Sequence, residues 1–190
     1  MTCVQTSIWC TILKILSWLD RTCGHSRYKS RTDRGKTLVA YKKRRYFPIT
    51  PRLQRIFILP KTAKHMTWHQ SYDTVDGVMV HPSNDEAWKH FNRVHPYFSA
   101  QSRNVRLGLC TNRFNIFGSF AAPYSWWSVI LTVYNLPPGM CMRPEFMFLF
   151  TVIPGPNNPG RNIDVCLWSL IDELMELWSS EALTYDVSMK

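Results

Sequence analysis

Acidic side chains are scarce in the first third of this sequence. Residues 1–69 contain only Asp20 and Asp33, against 15 lysines and arginines, so this part carries a net charge of +13. Residues 70–190 contain 11 acidic and 8 basic side chains, for a net charge of −3. A basic block beside a mildly acidic part indicates a polyanionic partner, with nucleic acid favoured over a membrane surface. A solvated basic linker is the alternative that charge alone leaves open.

The sequence also lacks a dense cysteine framework and a targeting signal. Its six cysteines, at positions 3, 10, 23, 110, 141 and 166, lie far apart, which favours a reducing compartment over a disulfide-bonded scaffold. The apolar run SIWCTILKILSWL at residues 7–19 is too short to span a bilayer, so we expect no membrane partner. It has no basic n-region and no small-residue cleavage site, which argues against a signal peptide. This run predicts an amphipathic helix or a buried segment.

The basic segment that follows mixes arginine and lysine with aromatic residues. Basic side chains neutralise phosphates, and aromatic rings can stack on bases or pack in a core. We predict that DNA is bound mainly by one basic run and two downstream arginines: Lys42, Lys43, Arg44, Arg45, Arg52 and Arg55. Tyr41, Tyr46 and Phe47 are then able to stack on unpaired bases. The alternative is that Tyr46 and Phe47 belong to the core and that the charges are merely solvated.

The stretch HPSNDEAWKHFNRVHP predicts a helix. Ser83 with Glu86 three residues later forms a capping-box pattern. Four apolar residues then recur at helical spacing until Pro96 ends the helix: Ala87, Trp88, Phe91 and Val94. A metal site at His81, His90 and His95, with Asp85 and Glu86 nearby, matches no familiar ligand spacing, so we interpret these histidines as surface or core residues.

Three strand-like runs and a helix follow, which predicts an α+β fold. The runs are NVRLGLCT, WWSVILTVYNLP and EFMFLFTVIPG, and we expect three adjacent antiparallel strands within residues 103–155. Residues 164–179 predict a helix, capped by Asn162 or Asp164, with apolar residues at i, i+3, i+4, i+7, i+10 and i+11. We expect it to pack on the sheet through five of its side chains: Leu167, Leu170, Ile171, Leu174 and Trp178.

Several blocks, in order from residue 23 onward, resemble the plant CACTA-type (En/Spm) transposases. The blocks YFP-x-x-PRLQR and YNLPP-x-MCM are long and unusual, and DGVMVHPSNDEAWKHFNRVHPYFSAQ and FLFTVIPGPNNPGRNIDVCLWSLIDELMELW accompany them. The resemblance implies a DDE-type enzyme with an RNase H-like core, which cuts and joins DNA in the nucleus. It also implies two Mg²⁺ ions held by carboxylates in intact members. We expect a basic N-terminal region at 1–72 and part of the RNase H-like domain at 73–190.

At the first carboxylate position this chain departs from the family pattern. Where the family reads approximately LGL-x-x-DGFNPFG, this chain reads LGLCTNRFNIFG, so Asn112 replaces aspartate and Arg113 replaces glycine. Asparagine is neutral and a weaker Mg²⁺ ligand, and the arginine adds positive charge where the cations should bind. It also removes the freedom in φ that glycine gives a turn. The resemblance therefore implies a degraded catalytic position at Asn112.

Two further departures concern zinc and length. The family's C-P-x-C-G pair before SRYK is reduced to Cys23, and zinc needs four well-placed ligands, so we expect no zinc site. The family core continues past TYDVS into a fourth strand and further acidic residues. We interpret Asp164, Asp172 and Glu173 as a solvated face or a cap, and we assign no catalytic role to Asp186.

Together these features predict a truncated, degenerate transposase copy. We expect it to be catalytically inactive, to require no cofactor and to bind no small-molecule substrate. Weak, non-specific DNA binding through the basic segment is the activity that we expect to remain. The alternative is a domesticated DNA-binding or protein-interaction module derived from a transposase. We also expect residues 1–45 to pack poorly, because they carry few apolar runs beyond residues 7–19.

Overall fold

The computed structural model describes residues 45–72, 77–115, 125–155, 159–160 and 163–189, together with residues 26, 28, 29 and 39. The helices of this part are α1 Thr50–Ile58, α2 Pro60–Ala63, α3 Trp68–Ser71, α4 Glu86–Val94, α5 Pro96–Ala100, α6 Pro138–Cys141 and α7 Ile163–Ser180. The strands are β1 Leu107–Asn115, β2 Ser125–Val133 and β3 Met147–Ile153. None of the described helices is long and apolar enough to cross a membrane.

The three strands form one antiparallel sheet in the order β1–β2–β3. Leu107 pairs with Val133 and Asn115 with Ser125, so β1 and β2 run together over their full length. The pairing of β2 with β3 shifts register between Val129 and Ile130. These strands are rich in β-branched and aromatic residues, which favour a pleated, half-buried surface. The predicted α+β fold, three antiparallel strands followed by a helix, is confirmed.

Residues 45–47 lie along the edge of β3. Tyr46 forms an isolated antiparallel bridge with Thr151, and the Phe47 amide donates to the Phe150 carbonyl at 2.7 Å. Upstream of Tyr46, the described residues 26, 29, 39 and 45 are exposed and residue 28 is half-buried. The other residues of the 1–45 stretch lie outside the described part, so their predicted poor packing stays a prediction.

The core lies between α1, the sheet and α7. Proline at the second position of α1 suits a helix start, because its missing N–H has no partner there in any helix. Leu53, Ile56 and Phe57 then fall on one side of α1 and are buried. They pack in one cluster with residues of β2, β3 and α7: Val129, Leu131, Val133, Phe150, Ile153 and Leu170.

The predicted helix at 164–179 is confirmed as α7, but its predicted packing residues are only partly right. Leu170 is buried in the core cluster, and Leu167, Leu174 and Leu177 pack against it. Ile171 and Trp178 are exposed instead, because the predicted stripe is wider than the arc of the helix that meets the core. Trp178 stacks on Phe98 of α5, with 5.3 Å between ring centroids. Of its proposed caps, Asp164 is exposed in the first turn and Asn162 lies outside the described residues.

The helix predicted in HPSNDEAWKHFNRVHP is confirmed, but its capping box is wrong by two residues. A single 3₁₀ turn at Pro82–Asn84 precedes α4, and the box closes around that turn. The Ser83 amide donates to His81 Nδ1 at 3.1 Å, and the His81 amide donates to Asn84 Oδ1 at 3.0 Å. Pro82 favours a turn that starts directly after His81. His81 is therefore the capping residue, and Ser83 lies inside the turn. α4 ends before Pro96, as predicted, and Pro96 begins α5.

Arg106 joins α4 and α5 to the start of the sheet. Its guanidinium carbon lies 4.2 Å from the Trp88 ring centroid, and 5.1 and 5.3 Å from those of Phe91 and Phe98. Its Nη2 donates to Asn92 Oδ1 at 2.7 Å. Two residues later, the backbone of Gly108 lies against the Tyr134 ring, and a Cβ atom at this position would overlap that ring. The planar cation packs α4 and α5 against the residue just before β1, and the absent side chain at Gly108 leaves room for the Tyr134 ring.

Candidate functional site

Asn112 and Arg113 lie inside β1, whereas the predicted strand NVRLGLCT ends at Thr111. Asn112 pairs with Ser128, whose hydroxyl donates to the Asn112 carbonyl at 3.3 Å, and Arg113 pairs with Trp127. Both side chains are exposed. Among the described residues, Glu181 is the one non-glycine with a positive φ, so Arg113 has ordinary strand backbone. The expected turn is therefore wrong: cross-strand pairing carries β1 on to Asn115, and position 113 needs no glycine.

The surroundings of Asn112 do not fit a pair of divalent cations. Alternation along the strand puts Cys110 and Phe114 on the same face, and pairing adds Ser128 and then Val152 on β3. None of these is a carboxylate, whereas Mg²⁺ prefers carboxylate oxygens. Within the described part of the chain, no three His, Cys, Asp or Glu side chains group as ligands. The described residues around Asn112 therefore do not fit a site for two Mg²⁺ ions.

The acidic residues of α7 divide between solvent and structure, as interpreted from the sequence. Asp164 and Asp172 are exposed. Glu173 reaches from α7 to the first turn of α1, where its Oε1 accepts from the Ile49 amide at 2.9 Å and from the Thr50 amide and hydroxyl at 2.8 Å. It is thus a cap for a helix 120 residues away in the chain, which no local pattern indicates.

Asp186 is also engaged in the fold. Its carboxylate pairs with Arg103, which lies shortly before β1, and it accepts from the Ser188 amide at 2.9 Å. Arg103 Nη1 further donates to the Ala63 carbonyl at 3.4 Å. The carboxylate therefore fastens the last turn of the described chain to α2 and to the start of the sheet.

The predicted DNA-binding residues fall into three groups. Lys42, Lys43 and Arg44 lie outside the described residues, as does the zinc remnant Cys23. Arg45 and Arg55 are exposed. Arg52 is half-buried, and the structure therefore does not bring it together with Arg55 on one exposed surface.

Arg52 is held against the sheet. Its Nη1 donates to the Leu149 carbonyl at 2.7 Å, and its guanidinium carbon lies 5.1 Å from the Phe47 ring centroid and 6.0 Å from that of Phe148. Burial lowers the pKa of Arg52 from its ordinary value, and the nearby Glu173 carboxylate partly offsets this effect. These contacts indicate a structural role for Arg52.

The aromatic residues beside the basic run are packed. Tyr46 lies against Phe150 with 5.4 Å between ring centroids, and Phe47 lies under Arg52 while its amide binds the sheet edge. This arrangement matches the alternative for Tyr46, which packs against the core cluster, whereas Phe47 is half-buried outside that cluster. Tyr41, the third ring named for base stacking, lies outside the described residues.

Two lysines of the basic stretch, Lys61 and Lys64, are exposed as well. Lys61 on α2 and Lys64 just after it are exposed, like Arg45 and Arg55. In the described part, the ion pairs are Lys89–Glu86 and Arg103–Asp186, so none of these four basic side chains is paired there. The charge of these residues follows from the sequence. Their exposure could be seen only in the structure, which gives the bounds of α1 and α2.

The histidines occupy separate surroundings, in agreement with their interpretation as surface or core residues. His90 is exposed, and His95 packs edge-on against Trp178 at 5.5 Å between ring centroids. His81 is buried and lies near His69, which the sequence analysis did not single out. Burial lowers the pKa of His69 to about 4, with smaller contributions from Arg106 and His81. Burial also lowers the pKa of His81.

Comparison with known proteins identifies the family. The family model described as transposase family tnp2 matches residues 76–190, which include α4, α5, the whole sheet and α7. No curated protein matches the chain, and neither does any solved structure. The matched stretch covers more than half of the 190 residues. The chain therefore belongs to the tnp2 family of transposases.

Proposed function

We propose that this chain is a catalytically inactive CACTA-type (En/Spm) transposase fragment of plant origin that binds DNA weakly and without sequence preference in the nucleus. The position of Asn112 is the observation that supports the proposed lack of catalytic activity. It lies on an exposed strand whose described neighbours on the same face, Cys110, Phe114, Ser128 and Val152, offer no carboxylate. An RNase H-like identity for the sheet and α7 belongs to the same proposal.

Unpaired basic side chains support the DNA-binding part. Arg45, Arg55, Lys61 and Lys64 are exposed and make no ion pair within the described part of the chain. Lys42, Lys43 and Arg44 immediately precede Arg45 and raise the local charge further. Such a surface binds phosphates of any sequence, because a point charge does not distinguish bases.

A salt titration of DNA binding tests this function. If roughly 4 to 6 of these side chains meet phosphates, log affinity falls with log salt at a slope of about −4 to −5. Replacing Lys42, Lys43, Arg44 and Arg45 with alanine should reduce the slope to about −0.5 to −1.5, because each lost phosphate contact removes about 0.9. The measurement is fluorescence anisotropy with labelled duplex and single-stranded oligonucleotides of unrelated sequences.

The matched control removes the same charge elsewhere. Alanine at Lys89, Arg93, Arg113 and Arg143, which are all exposed, lowers the net charge equally and should leave most of the slope in place. A flat salt response of the native chain, or equal loss in the two variants, contradicts binding through the 42–45 run. Arg55→Ala should reduce the slope by about 1, as expected for one phosphate contact.

A cleavage assay tests the inactive part. We expect no nicking or joining of DNA with Mg²⁺ or Mn²⁺, for the native chain and for the double variant Asn112→Asp, Arg113→Gly. One restored carboxylate cannot hold the two metal ions that in-line displacement uses. Metal-dependent cleavage that follows the protein through successive purification steps would show that the ligands come from elsewhere.

A domesticated DNA-binding or protein-interaction module is the second candidate. This candidate is favoured by the buried core, which includes Phe150, Leu131 and Leu170. The chain keeps this core although Asn112 stands at the proposed carboxylate position. Detection of the intact polypeptide in cells, followed by a cooperative melting transition of the purified protein, distinguishes this module from a decaying copy. A chain that is not made, or that does not melt cooperatively, excludes it.

A further inference from the structure

β1 forms an open edge of the sheet. It pairs with β2 on one side, and no described strand lies on its other side. The Arg106 carbonyl accepts from the Tyr134 amide, so alternation along the strand points the backbone groups of the even-numbered residues at β2. The amides and carbonyls of Leu109, Thr111 and Arg113 therefore point away from the sheet. Within the described part of the chain, these outward groups have no hydrogen-bond partner.

This edge has few of the features that keep natural edge strands apart. β1 is nine residues long, pairs with β2 without a bulge, contains no proline and carries one charge, that of Arg113. Every residue from Leu109 to Asn115 is exposed, so neither face of this part of the strand is covered. A long, regular edge strand with few charges pairs readily with another strand. The edge of β1 is therefore an interaction surface that can accept a further strand.

The opposite edge of the sheet is occupied, which favours β1 of a second copy as the partner. Tyr46 bridges Thr151, and the Phe47 amide donates to the Phe150 carbonyl, so residues 45–47 cover the middle of β3. A second copy can therefore extend the sheet through its β1 and not through its β3. Pairing of β1 with β1 is two-fold symmetric, and it closes as a dimer instead of propagating. We propose that two copies of this chain pair their β1 strands antiparallel and form one continuous sheet, with three strands from each copy.

The side chains of β1 favour one register of this pairing. When Thr111 lies opposite the partner's Thr111, all nine residues of the strand have a partner and the ladder has its greatest length. Leu109 then lies opposite the partner's Arg113, and Cys110 lies opposite the partner's Asn112. Directly opposed threonines stabilise a strand pair, whereas a register centred on Arg113 would oppose two like charges. The two-fold axis of the proposed dimer therefore passes beside Thr111.

Sedimentation velocity of the full-length protein tests the dimer. The chain should change from monomer to dimer between about 1 and 500 µM, because a single strand pair buries less area than a standard interface. Thr111→Pro removes the central outward amide without removing a bond to β2, and it should give a monomer over this range. Thr111→Val keeps the amide and is the matched control, which should still dimerise.

Two outcomes of this measurement would overturn the proposal. A native chain that stays monomeric leaves the edge open to a strand of another protein, and a native chain that forms open-ended aggregates lacks the closed two-fold contact. Equal dimerisation of Thr111→Pro and Thr111→Val would also overturn it. Circular dichroism on heating shows whether each variant is folded.

Opposite charges at Leu109, an exposed position, test the register without a proline. Leu109→Glu faces the partner's Arg113 and should tighten the dimer about 3- to 10-fold, whereas Leu109→Lys should weaken it by a similar factor. The same two charges at Met175, which is exposed on α7, are the control and should leave nearly equal dissociation constants. Equal constants for the two Leu109 variants would exclude this register.

A disulfide between copies identifies the opposed residues directly. Asn112→Cys places a thiol opposite the partner's Cys110, where Cα atoms are about 4.5 Å apart and a disulfide fits. Mild oxidation should give a covalent dimer in which mass spectrometry finds Cys110 joined to residue 112 of the other copy. In the native chain the two Cys110 residues are diagonal neighbours, about 7 to 8 Å apart, and should not be joined. Absence of the link in the variant, or an equal yield of Cys110-linked dimer in the native chain, overturns the proposed pairing.

Discussion

At the scale of single residues, His69 and His81 pack around the Trp88 ring. The His69 and His81 rings lie 5.4 and 6.2 Å from the Trp88 ring, measured between centroids. Within the described structure, His69 Nδ1 and His81 Nε2 are buried and have no hydrogen-bond partner. A ring in such a place favours its neutral form, because burial penalises the charge. Both rings therefore couple protonation to unfolding.

We predict that the free energy of unfolding decreases as the pH falls from about 6.5 to about 4. The pKa of His69 is about 4 in the folded protein and near 6.5 when unfolded, so the unfolded state binds the proton first on acidification. The stabilisation is complete above pH 6.5 and is lost progressively below it. Its size is about 1 to 2 kcal/mol once solvent screening of the partly exposed ring is allowed for.

Urea unfolding between pH 5 and 7 measures this effect. His69→Phe keeps a ring of similar size and should flatten the pH dependence in that window. His90→Gln, at an exposed histidine of α4, is the matched control and should leave the native profile unchanged. A profile that is the same in the native chain and in His69→Phe would exclude His69 as its source.

At the scale of secondary-structure elements, α1 depends on α7 for its N-terminal cap. α1 has no side-chain cap of its own, and the residue before it is Ile49. Glu173 supplies a carboxylate to the Ile49 and Thr50 amides, which would otherwise lack an acceptor. A negative charge at a helix N-terminus also interacts favourably with the helix dipole. The cap therefore links the two helices that enclose the core.

We predict that Glu173→Gln lowers the free energy of unfolding by about 1 kcal/mol and Glu173→Ala by about 2 to 3 kcal/mol. The amide keeps an acceptor but loses the charge, whereas alanine leaves two amides and the Thr50 hydroxyl without their acceptor. Chemical denaturation measures both changes. Glu176→Gln changes an exposed residue three positions further along the same helix, and it should stay within about 0.5 kcal/mol of the native chain. Equal effects at 173 and 176 would contradict the cap.

At the scale of the whole molecule, the core extends beyond the family match. The match begins at residue 76, but the buried cluster includes five side chains that precede it: Ile49, Leu53, Ile56, Phe57 and Met66. Arg103 adds a link, because it bonds both Ala63 and Asp186. The division at residue 72 stays a prediction, but described residues on both sides of it share one core.

We predict that a fragment of residues 76–190 does not unfold cooperatively, whereas residues 45–190 do. Each of the five missing side chains contributes about 2 kcal/mol by burial, or roughly 10 kcal/mol in total. That is as large as the whole stability of a typical domain, about 5 to 15 kcal/mol. Circular dichroism on heating distinguishes the two fragments. A sharp transition in the shorter one would show that its sheet and α7 form a sufficient core.

The sequence by itself determined the order and kind of the main elements. Alternation and β-branched content specified the three strands, and apolar spacing specified α4 and α7, because these signals depend on neighbours a few residues apart. The interpretation of Asn112 as a neutral residue at a carboxylate position came from the family resemblance, and it stays a prediction. The basic character of the first 69 residues follows from composition alone.

Only the tertiary structure decided where side chains meet across long stretches of chain. Pairing with Trp127 extended β1 past Arg113, and no local turn signal predicts how far a partner strand reaches. The role of Glu173 depends on an amide more than 120 residues away, and that of Arg52 on the Leu149 carbonyl. The exposure of Ile171 in an apolar helix stripe likewise depends on how much of α7 the core can reach. Contacts between distant residues are set by packing of the whole chain, which periodicity does not encode.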